Sequence, residues 1–404
     1  MLIGLVGKPS VGKSTFFKAA TLAEVEIASY PFTTIKPNHG VGYVKVDCID
    51  KEFNTQCNPK HGFCINNKRF VPVDLMDVAG LVPGASEGKG LGNQFLDDLR
   101  QADAFIHIVD ASGTTDETGK ILAESKIHDP CKDIEFLEEE LDIWYFNILI
   151  KVWKAFARQT EIEKGGGQGS NFAKAVAKQF SGLKVNEEDA KQVLRELDFT
   201  QKIKPSQWTN EMIKEFARKL RQGSKPMIIA ANKCDHPNAK KNIEKIKDAF
   251  PDYLIYACSA DSELALREAA KHGLIEYIPG EKSFKINENK VNPKQKEALD
   301  KIKKNVLEVY NGTGVQEILN HAVFELLKYI AIFPAGAHKL ADFDGNILPD
   351  CFLLPPNSTA LDFAFYLHTD FGKNFIKAID ARSKKALGKD YKLKNRDALE
   401  IVTK

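Results

Sequence analysis

Residues 7–15 read GKPSVGKST, preceded by the apolar run Leu2–Val6 and followed by the helix-like stretch Thr15-Phe16-Phe17-Lys18-Ala19-Ala20. A short aliphatic run before a glycine loop and a helical pattern after it describe a strand, a turn and a helix start. In that setting the stretch satisfies GxxxxGK[ST], a pattern that cradles phosphate. The glycines let the backbone of Gly7, Lys8, Pro9, Ser10, Val11 and Gly12 wrap, so that successive N–H groups aim inward at phosphate oxygens. The helix N-terminus adds positive potential. Lys13 is then expected to bridge the β- and γ-phosphates and Ser14 to offer its hydroxyl to Mg²⁺, with Thr15 completing the nucleotide-binding set. A glycine turn with no ligand is the bland alternative.

Working outward, Val71–Leu75, Phe105–Val109, Met227–Ala231 and Leu254–Cys258 are apolar runs too short for helices and rich in Val and Ile. They read as buried parallel strands of an α/β domain. Val41–Asp47 alternates as an edge strand would. Asp77-Val-Ala-Gly80 ends the Val71–Leu75 strand, where an acid would hold Mg²⁺ through water and the Gly80 amide would sense the γ-phosphate. Asn232-Lys233-Cys234-Asp235 ends the next strand but one. There Asp235 is expected to accept from guanine N1–H and N2–H₂, whereas adenine would leave a charged acceptor unpaired at a cost of about 1–3 kcal/mol or more. The Lys233 stem covers the base, and Ser259-Ala260 supplies an amide for guanine O6. Tyr30-Pro31-Phe32-Thr33-Thr34 lies between the first helix and the edge strand, where a threonine would complete the Mg²⁺ shell only while the γ-phosphate is present. A structural loop is the alternative there.

From Asp110 to Lys225 the pattern becomes helical. Ile134, Leu137, Leu141, Trp144, Ile148 and Val152 mark one face of a long helix starting in the acidic stretch DIEFLEEELD, which GGGQGS later breaks. NEEDAKQVLREL and NEMIKEFARKLRQG follow, the latter with Gly223 as its expected cap. VQEILNHAVFELLKYI is expected to close the α/β domain. Beyond Ile330, an Asp344-Gly345 turn, the run CFLLPP, a capped helix at Thr359-x-x-Asp362, and the strands FIKAIDA and DALEIV suggest a small α+β domain. The expected domains are 1–112, a helical insertion 113–223, a return to the α/β domain with a helical extension 224–330, and a tail domain 331–404.

Composition agrees with a soluble chain of several domains: 404 residues, 43% apolar, net charge +2. That balance marks no nucleic-acid binder by itself. The N-terminal apolar run is too short for an export signal, and no run approaches the roughly 20 residues of a membrane span. Seven cysteines, an odd number, suit reduced thiols in a cytosol. Cys57, His61 and Cys64 in CNPKHGFC, with Cys48 nearby, could ligate zinc, although their spacing departs from the usual paired cysteines; a surface loop of free thiols is the alternative.

The order GKPSVGKST, YPFTT, DVAG, NKCD, CSA resembles the GTPase superfamily, and DVAGLVPGASEGKGLGNQFLDDLRQADAFIHIVDAS resembles its Obg-like branch. LLPPNSTALDFAFYLHTDFGKNFIKAIDARSKKALG is similar to a TGS domain, a ubiquitin-like β-grasp module. With the helical insertion this resembles the YchF subfamily in its archaeal form, over essentially the whole chain though weakly across the insertions. The resemblance implies a P-loop G domain with a coiled-coil-like helical insertion and a C-terminal TGS domain, Mg²⁺-dependent turnover of GTP to GDP, and association with ribosomes or other RNA-containing translation components. It also implies Lys13, Thr34 and Gly80 as the catalytic set, Ser14, Thr34 and Asp77 as metal ligands, and a cytoplasmic, monomeric protein. Bacterial and eukaryotic members depart from NKxD and resemble ATPases; retention of Asn232, Lys233 and Asp235 favours GTP here. Leu81 stands where many switch GTPases place a water-orienting glutamine, so intrinsic turnover is expected to be slow. Ser10 replaces the asparagine with which some relatives hold potassium. His128 lies in the region of a histidine assigned in bacterial relatives, without matching spacing. Lysine-rich stretches KKNIEKIK, NKVNPKQKEALDKIKK and SKKALGKDYKLKNR offer possible phosphate contacts. An ATP-handling phosphohydrolase and a non-catalytic, nucleotide-bound RNA- or protein-binding adaptor are the competing readings.

Overall fold

The computed structural model describes residues 1–21, 38–78, 98–123, 126–162, 168–337, 339–342 and 344–404. The YPFTT loop with Thr34, and Gly80 and Leu81, lie outside the described residues. The principal elements in chain order are β1 (Leu2–Val6), α1 (Lys13–Thr21), β2 (His39–Asp47), β3 (Phe63–Ile65), β4 (Lys68–Asp77), β5 (Ala104–Asp110), α2 (Cys131–Ile162), α3 (Gln168–Gln179), α4 (Glu187–Glu196), α5 (Asn210–Ser224), β6 (Met227–Asn232), α6 (Ala239–Ala249), β7 (Leu254–Ala257) and α7 (Ala260–Lys271). After them come β8 (Ile275–Glu276), β9 (Lys285–Ile286), α8 (Pro293–Ile302), α9 (Val315–His321), β10 (Ile330–Pro334), β11 (Phe352–Leu354), α10 (Ala360–Leu367), β12 (Phe375–Asp380), β13 (Ala386–Leu387) and β14 (Ala398–Thr403). They form two compact units, residues 1–17 with 75–261 and residues 18–74 with 262–404.

In the first unit β1 pairs in parallel with β5, β5 with β6 and β6 with β7. Every residue of β5 and β6 is buried, which is why these strands read as near-continuous apolar runs, interrupted by His107, rather than alternating ones. The Val78 N–H donates to Leu5 O, placing the carboxyl end of β4 beside that of β1. The helical segment then packs on a dry aromatic core. Trp153 and Trp208 stack at 5.2 Å, and Phe172 lies edge-on to Phe216 at 5.8 Å. Helix α2 begins at Cys131, ahead of the acidic stretch expected to start it. Gly223 is not a cap: α5 continues through Ser224, and the cap is Lys225, whose N–H donates to Arg221 O. Glycine is tolerated there because nothing crowds the position and the helix is held by packing from its other residues.

The second unit holds a hairpin, β3 against β4, turned by Asn66 and Asn67. Both asparagines have positive φ, the conformation that a tight two-residue turn requires. Helix α9 belongs to this unit. The Gln316 side chain, buried between elements, donates to Tyr43 O on β2. The tail forms a mixed five-stranded sheet in the order β11-β10-β14-β12-β13. Its two central strands are parallel, and Phe363 of α10 packs on Ile332, Leu354 and Leu399 beneath them. That is a β-grasp arrangement. The capping box at Thr359 and Asp362 sets the start of α10 as expected. Among the described residues no helix is long and apolar enough to cross a membrane.

Candidate nucleotide site

Residues 7–15 run from the end of β1 into α1. Gly7 sits at φ +146° and Gly12 at φ +97°; a Cβ on Gly7 would fall 2.4 Å from Ile108 O, and one on Gly12 the same distance from Asn232 Nδ2. Both positions therefore require glycine on sterics as well as on backbone conformation. The Lys13 ammonium donates to Gly7 O at 2.9 Å and Lys8 O at 2.8 Å, so the loop's own carbonyls hold it over the cradle. Burial pushes its pKa down to about 8, with Asp77 pulling the other way. Ser14 is exposed, and its hydroxyl donates to Asp77 Oδ2 at 2.9 Å. Two hard oxygen donors next to an ammonium at the ends of β1 and β4 match what Mg²⁺ on a nucleotide takes.

Asn232 links two loops. Its Nδ2 donates to Val11 O at 2.8 Å, while its Oδ1 accepts from the Ala260 N–H at 3.0 Å. Asn232 thus staples the phosphate loop to the Ser259-Ala260 turn, and the Ala260 amide expected on guanine O6 is used internally. Asp235, by contrast, is exposed at the end of β6. Lys233 adopts φ +61°, and its ammonium meets Asp110 Oδ2 at 2.9 Å. Burial alone would raise the Asp110 carboxyl, but bonds from Ser112, Lys233 and Thr115 outweigh it and hold it below the usual carboxylate range.

The sequence reading missed this Asp110 cluster and a second one beside it. Lys8 is buried, with its ammonium 2.9 Å from Asp133 Oδ2 and donating to Thr115 O at 3.0 Å. Its charge is therefore committed to the protein, and only its backbone faces the cradle. His128 Nε2 lies 2.7 Å from the other Asp133 oxygen. His128 is neither free nor solvent-facing; it belongs to the brace behind the loop. The available signal was the short polar run after β5, Asp110-Ala-Ser112-Gly-Thr114-Thr115, whose hydroxyls and acid sit too close together for a solvated surface.

The comparisons with known proteins agree with this geometry. A family model described as a 50S ribosome-binding GTPase matches residues 2–137. One described as the G4 motif-containing domain of the Obg-like, YGR210-like GTPases matches residues 230–336, and the TGS domain model matches residues 340–403. The chain is 49% identical over 404 residues to a GTP-binding protein of Methanocaldococcus jannaschii, covering 100% of this chain and 99% of that one. It is 30% identical over 388 residues to the ribosome-binding ATPase YchF of Bacillus subtilis, covering 93% and 87%. The crystal structure of a GTP-binding protein from Pyrococcus horikoshii OT3 superposes with a TM-score of 0.77 at 39% identity, with 100% of each chain covered.

Proposed function

Since the chain belongs to the Obg-like GTPases, in the YchF group with a TGS domain, we propose that it is a Mg²⁺-dependent, GTP-hydrolysing switch that acts on the ribosome in the cytoplasm, as a monomer. The observation that carries the reading is the Ser14–Asp77 contact beneath the Lys13 ammonium, which joins the two motifs that a Mg²⁺–triphosphate would bridge. Bound there, the metal would neutralise charge developing on the β- and γ-oxygens. The amides of Gly7 to Thr15 would grip the phosphates, Lys13 would bridge β and γ, and Asp235 would select guanine. Thr34 and the Gly80 amide remain the proposed γ-phosphate sensors, and Ser259 a proposed base contact. The ribosomal arm of the reading rests on the names that relatives carry and on lysines exposed along α8 and after β12, such as Lys294, Lys301, Lys385 and Lys389.

The test is turnover and ribosome co-sedimentation with GTP, GDP and ATP, in sodium and in potassium. The reading expects slow intrinsic hydrolysis, faster with ribosomal subunits, and retention on the ribosome that differs between GTP and GDP. Retention indifferent to nucleotide, with no detectable single-turnover hydrolysis, would favour the adaptor instead.

A further inference from the structure

Between β2 and β3 the chain makes an excursion that buries two cysteines and an acid beside Ile49. Cys48, Asp50 and Cys57 are buried and Cys64 is half-buried, and one donor atom from each lies within 4.8 Å of all the others. The Cys48 and Cys57 sulfurs are 3.6 Å apart, and Cys64 Sγ is 3.8 Å from Asp50 Oδ2. A tetrahedral ion with bonds of about 2.3 Å to sulfur and 2.0 Å to oxygen needs S···S edges of about 3.8 Å and S···O edges of about 3.5 Å. The two edges given above fall within about 0.3 Å of these values, and the other donor atoms lie within 4.8 Å of one another. His61, the ligand that CNPKHGFC suggested, is not in the group; Asp50, eleven residues earlier, takes its place.

The carboxylate gives a second argument. Asp50 has no exposed surface. Its Oδ1 accepts from Lys51 N–H at 2.7 Å and Asn67 Nδ2 at 3.1 Å, so that oxygen is well satisfied. Among the described residues its Oδ2 meets a long bond from Cys57 N–H at 3.3 Å and the Cys64 thiol. A buried carboxylate oxygen aimed into three thiols is costly unless something cationic compensates it. No regular element spans 54–62, so no helix or strand ladder fixes that loop.

We propose that Cys48, Asp50, Cys57 and Cys64 bind one Zn²⁺ ion in a closed, four-ligand structural site. Soft thiolates select zinc over the hard cation expected at the nucleotide, and four protein ligands leave no position for substrate. The ion would pin the loop that docks the tail domain. From this loop Asn58 N–H donates to Ile347 O, Lys60 N–H donates to Pro349 O, and Lys60 pairs with Asp342 and Asp344. Arg69, buried on the adjoining strand, donates to Leu348 O and Pro349 O.

The test is metal analysis of the full chain, purified reduced after expression with added zinc, and spectroscopy of its Co²⁺-exchanged form. One zinc per chain and an intense tetrahedral cobalt–thiolate spectrum are expected. Cys57→Ser and Cys64→Ser should each lose the metal, whereas Cys131→Ser, outside the group, should keep it. Chelation of the unmutated protein should expose 54–62 to limited proteolysis, which keeps the question open to an answer even if a variant fails to fold. Absence of stoichiometric metal, octahedral cobalt, or a Cys48–Cys57 disulfide in place of the ion would overturn the proposal. None of these readouts depends on nucleotide turnover.

Discussion

The phosphate cradle and the helical segment belong to one compact unit yet are held by opposite means. Around residues 7–15 the contacts are polar and each depends on one atom in one place: Asn232 on Val11 O, Lys13 on Gly7 O, Lys8 on Asp133. In 131–224 the contacts are mostly rings and aliphatic side chains, where Trp144, Trp153, Phe172, Trp208 and Phe216 share one buried core. The first region constrains identity at fixed spacing; the second constrains only volume and periodicity. Substitutions should therefore separate cleanly, with cradle changes felt in ligand binding and arm changes in stability.

The largest effect is expected where the arm breaks its own rule. Arg221 is buried and donates to Asp142 at 2.8 Å and Glu138 at 3.0 Å. Arg221→Ala strips Glu138 of its cation and leaves Asp142 only Arg218 at 4.0 Å, and should cost about 2–4 kcal/mol in chemical denaturation, the partial exposure of both acids moderating the loss. GTP affinity of the folded fraction should stay unchanged, and a parallel loss of affinity would show that the two regions are coupled. Gly12→Ala tests the cradle: positive φ and the clash with Asn232 should add about 1–3 kcal/mol of strain. Its chief readout is weaker GTP binding by calorimetry, and unchanged affinity would refute the staple.

A subtler prediction follows from Lys13, whose pKa burial lowers to about 8. Below pH 8 the ammonium is already charged, so affinity for GTP should be flat. Above it, binding must take up a proton, and affinity should fall by up to about tenfold per pH unit until the pKa of the bound form is reached. Lys13→Ala should bind GTP weakly and lose this slope. A wild-type profile that is flat through pH 9 would place the ammonium away from the phosphates.

The same contrast explains what the sequence disclosed. GKPSVGKST and NKCD stand out in the sequence because phosphate and base chemistry each call for particular atoms at fixed spacing, and the parallel strands were legible because burial on both faces leaves near-continuous apolar runs. The tail's strands and the Thr359 cap were also legible, from turn and capping chemistry. The Asp110 and Lys8–Asp133–His128 braces were hidden because their partners come from separate elements that only folding brings together. The bonds of Asn232 to Val11 O and the Ala260 N–H were hidden for the same reason. Gly223 was misread because a glycine near a helix end signals a cap only when its φ is positive, which sequence does not show. Asp50 escaped notice among the thiols because an acid next to lysine looks like surface.

The choice of purine falls to a solvent-facing carboxylate beside a polar cradle, and side-by-side affinities for GTP and ATP in magnesium buffer test that choice and the nucleotide site together most directly. Asp235 predicts that GTP binds tighter by about 1–3 kcal/mol or more, roughly fivefold to a hundredfold or beyond, and that Asp235→Asn erases most of the margin. Equal affinities, tighter ATP, or a margin that survives Asp235→Asn would contradict it.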